Sequence, residues 1–472
     1  MSDHKTSNPK VFILFPDGVG LRNFAFTHFK EIGEQQGFDT TYWNNTIFSL
    51  QEELGYPELK IESTKIHPKT TVLSHARKRV ELALSRKRTN DKVYTTYRFP
   101  LRWNNLKNIL KSAFVTFHET FSATPQGWQK LMDQINTAER STLRYQELKA
   151  QLEEHQPALV FCTTQRATQA IAPLLAAQDL GIKTACWIYS WDNLPKGMST
   201  VETDYYFVWS ELMKAQLLEY YPKTKSAQVF VTGTPQFEPH YDASLLLSRK
   251  QFSEAQGLDT NTKYICFSGD DQTTSPLDQY YLEDTAIAVR QLREEGRDLA
   301  IIYRKVPVDF SGRYDAVLAQ YKDVIISIDP LWKPMGEQWN QVMPTKEDFA
   351  LLVNTCYHSE LVVNICSSMV FDFVIHDKPT IYPNYEQPQL QKGMRDIGQN
   401  YNYIHFRSMP DAAKSVTWAK SKSEIYDGIK GLLDGELNPV PVTKEWYGIV
   451  NKPEFPEEAS KRIWEGINQI TN

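Results

Sequence analysis

The chain lacks most of the marks that assign a function outright. No apolar stretch approaches the roughly 18 residues of a membrane-spanning helix. The apolar run Val11–Phe15, behind the polar start Met1–Lys10, is too short for a secretory leader. The five cysteines (Cys162, Cys186, Cys266, Cys356 and Cys366) show no CxxC spacing, and several fall in strand-like runs. They read as reduced core thiols, which points to the cytoplasm. The ten histidines show no HxH, HxxxH or HExxH spacing, so no metal site is expected. GxSxG and GxxxxGK[ST] are absent, which removes the usual support for hydrolase and P-loop readings. A formal charge of −5 and a pI near 6.1 exclude a globally basic nucleic-acid binder.

What is present suits a large globular protein. With 472 residues, 41% hydrophobic and 12% aromatic, the chain has material for two or three domains. Strand and helix signals alternate in two stretches, which predicts parallel α/β sheets. In the first, strands are expected at Val11–Phe15, Phe38–Trp43, Ala158–Cys162, Lys183–Ile188, Tyr205–Trp209 and Gln228–Val231. Helices are expected at about Arg22–Gln36, Thr137–His155, Gln165–Leu180 and Ser210–Tyr220. Thr232–Asp242, broken by Gly233, Pro235 and Pro239, reads as a linker. In the second, strands are expected at Lys263–Ser268, Leu299–Tyr303, Val324–Ile328 and Leu361–Ile365, with helices at about Leu277–Glu295, Tyr314–Tyr321 and Lys346–Tyr357. An amphipathic helix, Glu457–Ile470, closes the chain. Two such sheets would leave a cleft between them, where ligands of such folds bind.

Charge is uneven. Between Lys60 and Lys111 there are 14 Lys/Arg against Glu62, Glu81 and Asp91, a local +11 that leaves −16 for the remainder. The triplets Arg77-Lys78-Arg79 and Arg86-Lys87-Arg88 lie on a helical pattern, followed by the aromatic Phe99–Trp103 and by Leu106–Phe117. This segment reads either as a solvated helix face or as a surface for anionic lipid headgroups or an acidic acceptor.

Several loops could carry chemistry. Residues 361–383 read strand, serine turn, helix, strand, and place Ser367-Ser368 where a helix start favours an anion such as phosphate. An ordinary N-cap would look the same. Gly18 and Gly20, after Asp17 at the end of the first strand, permit close backbone approach, but Pro16 stands where GxGxxG needs its first glycine. Asp17 reads as a general base towards an acceptor hydroxyl or as a turn-closing residue, and Arg22 follows in the same segment. Asp192 and Asn193 beside Trp191 suit an acceptor pocket or an Asx turn. Gly269 opens the loop Gly269-Asp270-Asp271, whose backbone could face a diphosphate, although two aspartates would repel it unless a metal intervened. Arg304 and Lys305 end a strand in two cations that could neutralise phosphate or form salt bridges.

Together these segments resemble a GT-B glycosyltransferase of the bacterial surface-carbohydrate type. Tyr189–Gly197 with Asp204–Trp209 is similar to the late N-terminal-domain region of such enzymes, and Val231–Phe237 to their passage into the donor domain. Arg304–Pro307 resembles the Arg-x-His-Pro element of CMP- and CDP-donor members. Ser367-Ser368 resembles the serine pair that holds donor phosphate in Kdo- and sialyl-transferases, and Asp17-Gly18 the tail of an acidic-acidic-glycine base motif. Val306 stands in place of the motif's histidine, which leaves the base of the nucleotide open, and Pro16 in place of the first acidic residue. The resemblance implies two Rossmann-like domains facing a cleft: an acceptor domain over residues 1–238, with 445–472 packing back on it, and a nucleotide-sugar donor domain over 239–444. It implies a metal-independent, inverting transferase without a cofactor, moving a sugar from a nucleotide-sugar donor to a glycan or lipid-linked acceptor. Asp17 would be the base. Arg304, Lys305, Ser367, Ser368 and Gly269 would bind the donor, and Arg22, Asp192 and Asn193 the acceptor. The partners expected are those substrates and an anionic membrane surface at residues 60–111, with no nucleic acid, in a cytoplasmic protein peripheral on the inner membrane. A nucleotide-sugar epimerase, a polyol-phosphate transferase on the same fold and a non-catalytic carbohydrate-binding scaffold are the other readings.

Overall fold

The computed structural model describes residues 8–307, 309–335 and 342–472; the polar start at residues 1–7 lies outside them. The chain forms two compact units, Met1–Pro235 with Glu454–Asn472, and Gln236–Pro453.

The first unit is built on seven strands: β1 (Lys10–Phe15), β2 (Asp39–Asn44), β3 (Glu58–Lys60), β4 (Leu159–Cys162), β5 (Lys183–Trp187), β6 (Tyr205–Val208) and β7 (Val229–Val231). All pair in parallel, in the order β3-β2-β1-β4-β5-β6-β7. Val11–Phe15 and Leu159–Cys162 are buried without alternation, as parallel strands covered on both faces require. Four helices, Pro68–Thr89, Leu106–Phe121, Pro125–Arg140 and Leu143–His155, fill the long connection from β3 to β4.

The final helix, Ala459–Thr471, belongs to this unit. Its apolar stripe Ile463, Trp464, Ile467 and Ile470 is buried. The Trp464 ring lies 5.0 Å from the rings of Phe29 and Phe38, and its Nε1–H donates to the Phe29 carbonyl at 2.7 Å. Gly33 sits directly beneath: a Cβ there would come within 2.3 Å of the indole, so the contact needs glycine.

The second unit holds six parallel strands: β8 (Lys263–Ser268), β9 (Leu299–Arg304), β10 (Ile325–Ile328), β13 (Val362–Asn364), β14 (Thr380–Pro383) and β15 (Thr417–Ala419). Their order is β10-β9-β8-β13-β14-β15. A separate antiparallel pair joins β11 (Lys333–Pro334) to β12 (Val342–Met343). The core of this unit gathers Ile265, Phe267, Leu282, Val289, Ile301 and Val363. Each large sheet therefore has one point where successive connections run to opposite sides, beside β1 in the first unit and β8 in the second. In open parallel sheets the crevice at the carboxyl ends there is the favoured ligand position.

Candidate functional site

In the first unit, the loops leaving β1 and β4 meet at the switch point. Asp17 caps the turn Gly18–Gly20 by accepting the Val19 N–H at 3.0 Å. Gly20 lies against Thr163: an added Cβ would fall 2.4 Å from Thr163 Oγ1, which itself donates to the Leu14 carbonyl at 2.9 Å. The loop is thus pinned to the sheet, and Asp17 is partly buried. Burial pushes the Asp17 carboxyl above its usual range, against the opposing pull of the Val19 N–H and of Arg166.

The surroundings of Tyr189, just past β5, show which groups share this crevice. Burial raises its phenol, Arg166 and Arg22 oppose the shift, and Asp17 and Asp192 reinforce it. The Arg166 guanidinium lies 5.8 Å from the Tyr189 ring centre. Asp192 pairs with Lys196 and accepts from Asn193 Nδ2 at 2.7 Å. Asn193 is buried and structural in its contacts: its Oδ1 accepts from Gln165 Nε2 at 3.0 Å, while Gln165 Oε1 accepts the Tyr189 N–H at 2.9 Å. Asp17, Arg22 and Asp192 therefore fall within one electrostatic neighbourhood, and Asn193 holds its floor. Sequence reading missed Arg166, and took Lys78 as part of a basic helix face without placing it here. Burial, with Arg77 beside it, lowers the Lys78 ammonium to about 7, and Lys196 and Arg166 add to the shift. Arg166 had no local signal, because β1 and β4 become neighbours only through the crossover.

In the second unit the crevice is formed by the loops after β8, β9 and β13. Gly269 donates its N–H to the Arg304 carbonyl at 2.9 Å, and a Cβ there would meet Tyr314 Oη at 3.1 Å and the Tyr303 ring at 3.2 Å. Beyond it Asp270 and Asp278 form an acidic pair. Asp278 accepts from the Tyr314 hydroxyl at 2.6 Å and from the Asp270 N–H at 3.1 Å. Burial raises both carboxyls; Asp271 and Asp278 push Asp270 further up, and Arg313 opposes the shift in each. Arg313 is held by Asp309 at 2.8 Å and by the Asp270 and Ser275 carbonyls.

The serine turn is constrained differently. Cys366, at φ 54°, turns the chain out of β13. Ser367 takes the Asn364 side chain on its N–H at 3.3 Å, its carbonyl accepts from the Tyr382 hydroxyl at 2.7 Å, and its Oγ caps the Met369 N–H at 3.3 Å. Ser368 starts the helix Met369–Val374 without a capping bond from its side chain. That helix has six residues, so its dipole is short.

Arg304 is committed to a buried ion pair. Its Nη2 donates to both oxygens of Asp348, at 3.1 and 2.9 Å, and Asp348 also accepts from the Leu331 N–H at 2.9 Å and Trp332 Nε1 at 2.8 Å. Among the described residues Arg304 Nη1 has no partner. Lys305 is half-buried next to it. Burial acts to raise the Asp348 carboxyl, but Arg304 and the two donors outweigh it and hold it below its usual 3.8. The stabilisation from this lowered carboxyl is present above the ordinary value and is lost as pH falls through the lowered one. Asp348→Ala leaves the buried guanidinium without its counter-charge and is expected to cost about 3–5 kcal/mol, read as a drop in chemical-denaturation stability at neutral pH. A loss below about 1 kcal/mol, the scale of a surface pair, would show that water reaches Arg304.

No protein-family model matches the chain, and no curated protein sequence does. Solved structures match over nearly its whole length. A putative UDP-N-acetylglucosamine 2-epimerase from Listeria monocytogenes aligns with a TM-score of 0.56 at 13% identity, covering 98% of this chain and 96% of that one. The UDP-GlcNAc 2-epimerase from Methanocaldococcus jannaschii aligns at 0.52 and 14% identity, over 98% and 99%. A glycosyltransferase from Rickettsia africae aligns at 0.51 and 10% identity, over 98% of both chains. The fold is GT-B. At these identities the likeness extends to architecture, and the GT-B fold of this chain carries two Rossmann-like sheets, each with its own switch-point crevice.

Proposed function

We propose that the protein is a glycosyltransferase that moves a sugar from a nucleotide-sugar donor to a glycan or lipid-linked acceptor in bacterial surface polysaccharide synthesis, with inversion and without a metal. The observation that carries this reading is Asp17: a partly buried carboxyl, raised by that burial, fixed by a backbone cap at the carboxyl end of β1. A carboxylate there, of basicity above an ordinary aspartate, suits removal of a proton from an acceptor hydroxyl. As that oxygen bonds to the sugar's anomeric carbon, the bond from this carbon to the donor's phosphate oxygen breaks, and the nucleotide leaves with that oxygen. In the second unit the hydroxyls of Ser367 and Ser368 and the Ser368 N–H, with Lys305 and the unpartnered Nη1 of Arg304, would bind the departing phosphate and offset its charge. Arg22 and Asp192 would orient the acceptor, and Asn193 would hold the loop from which Asp192 projects.

The test is donor binding followed by turnover. Thermal shift against UDP-, CMP-, GDP- and dTDP-sugars should give a rise in Tm for one nucleotide class. In Ser367→Ala/Ser368→Ala the rise should shrink and the donor KM should increase; unchanged KM and kcat would remove the serine turn from the donor site. The likeness to two UDP-GlcNAc 2-epimerases supports a second reading, a nucleotide-sugar epimerase. NMR of the donor incubated without any acceptor separates the two, since an epimer appearing there belongs only to the second.

A further inference from the structure

The helix Leu106–Phe121 carries its apolar residues on the outside. Its inner face is narrow: Ser112 and Val115 are buried, Ser112 Oγ donates to the Arg102 carbonyl at 2.7 Å, and Glu119 receives Arg79 at 2.9 Å and also Arg98. The opposite face presents Leu106, Leu110, Phe114, Phe117 and Phe121 at i, i+4, i+8, i+11 and i+15, one continuous stripe. Leu106 is 73% exposed, Leu110 63% and Phe121 72%. Phe99 and Trp103, in the segment leading into the helix, are more than half exposed as well. A soluble surface scatters such residues singly; a stripe of this length marks something that covers it.

The charges around the stripe say what that is. Arg102, Lys107 and Lys111 border it and are exposed, and Lys87 reaches the Ala123 carbonyl just past the helix end. The one carboxylate on the helix, Glu119, points inward and is spent on Arg79 and Arg98. The sequence expectation of a surface for an anionic membrane over residues 60–111 is thereby narrowed to the end of that segment and carried on to residue 121. In the helix Pro68–Thr89, Arg77 is buried on Glu81, Arg79 on Glu119, and Arg88 pairs with Glu219; the last two carboxylates lie outside the counted segment and offset only two of its +11. The apolar stripe begins at Leu106, inside that segment, and runs past its end to Phe121.

We infer that the outer face of Leu106–Phe121 is a membrane-docking surface for bilayers containing anionic lipid, with the Leu/Phe stripe set into the acyl boundary and Lys107, Lys111 and Arg102 at the phosphate level. An exposed helix with a Leu/Phe/Trp face, cations along one border and its only carboxylate turned inward, is the pattern of an interfacial helix. A second copy of the chain is disfavoured as the occupant, because a two-fold contact through this stripe would bring the same lysines against each other. The inference goes beyond the glycosyltransfer reading and does not rest on it, since lipid binding is read without turnover.

Flotation of the full chain with phosphatidylcholine vesicles containing phosphatidylglycerol should carry the protein up, and vesicles of phosphatidylcholine alone should carry markedly less. Leu110→Gln/Phe117→Gln/Phe121→Gln should abolish flotation with an unchanged melting temperature, these side chains being exposed. Lys107→Gln/Lys111→Gln should weaken it about fivefold per cation and remove most of its salt sensitivity. Flotation equal in wild type and triple variant overturns the proposal. So does a wild type that stays at the bottom of the gradient. So does a wild-type dimer in sedimentation that the triple variant converts to monomer while neither floats, which would make the stripe an interface between copies.

Discussion

Asp17→Asn is expected to lower kcat for sugar transfer by about two to four orders of magnitude, the usual contribution of a positioned general base, without lowering Tm. The amide is isosteric and keeps an oxygen to accept the Val19 N–H, so the turn Gly18–Gly20 should persist. Stability should move the other way. The Asp17 carboxyl is raised in the fold by burial, so over the window between its ordinary 3.8 and the raised value the folded protein holds more proton than the unfolded chain. Stability from this group therefore falls as pH rises through that window, and at neutral pH the ionised Asp17 is a cost that asparagine does not carry. Tm of the variant should match or exceed the parent's. Activity of the parent should decline as pH falls through the raised value, and the residual activity of the variant should lose that limb. A variant with parental kcat would place the acceptor's proton elsewhere. One that unfolds early would make Asp17 a structural cap.

The largest stability effect is expected at Trp464. Its indole fills the space above Gly33 between Phe29 and Phe38, and its N–H satisfies the Phe29 carbonyl. Trp464→Ala removes the ring from a site where glycine has already brought the backbone in close, so the helix Phe29–Gln35 cannot collapse further to refill it. A loss of about 3–5 kcal/mol is expected, plus part of a hydrogen bond to a buried carbonyl. In calorimetry the first unit should melt earlier while the transition of the second stays in place. Equal shifts in both transitions would mean that the two units unfold as one. Phe at this position should recover most of the packing but not the bond to Phe29.

The parts of the fold legible in the sequence are those where a single local signal dominates. Lys263–Ser268 is an apolar, β-rich run closed by Gly269, and the strand has those ends. The α/β class follows from repeated runs of this kind. The expected helix Arg22–Gln36 is instead two, Leu21–Phe24 and Phe29–Gln35, because Thr27 donates to the Asn23 carbonyl and accepts the Phe29 N–H, restarting the helix. Thr137–His155 likewise breaks at Ser141-Thr142, where Thr142 caps the Tyr145 N–H; here the capping signal was present and the long polar pattern masked it. The edge strands β3 and β15 are three residues each, Glu-Leu-Lys and Thr-Trp-Ala, too short to show a period. At the candidate sites, the strand ends that hold Asp17, Gly269 and Arg304 could be read directly. Arg166 could not, since its neighbours are set by the order of strands in the sheet; Lys78 showed only as part of a basic triplet, and Asp270 and Asp278 meet through the path of the single loop after β8. In the basic segment two counter-charges, Glu119 and Glu219, lie outside the window in which the charge was counted.

The helix Ala459–Thr471 also imposes an order on synthesis. The first unit is nearly complete once Pro235 has been made, yet Phe29 and Phe38 then have no Trp464 to cover them. The 218 residues from 236 to 453 must be translated first, which at about 5–20 residues per second takes roughly 10–45 s. Throughout that interval the nascent first unit carries an open aromatic trough over Gly33. The second unit, contiguous in the chain, has no such wait. The half that begins first is therefore the half that finishes last, and a ribosome stalled anywhere in the second unit displays a sticky, unfinished first one.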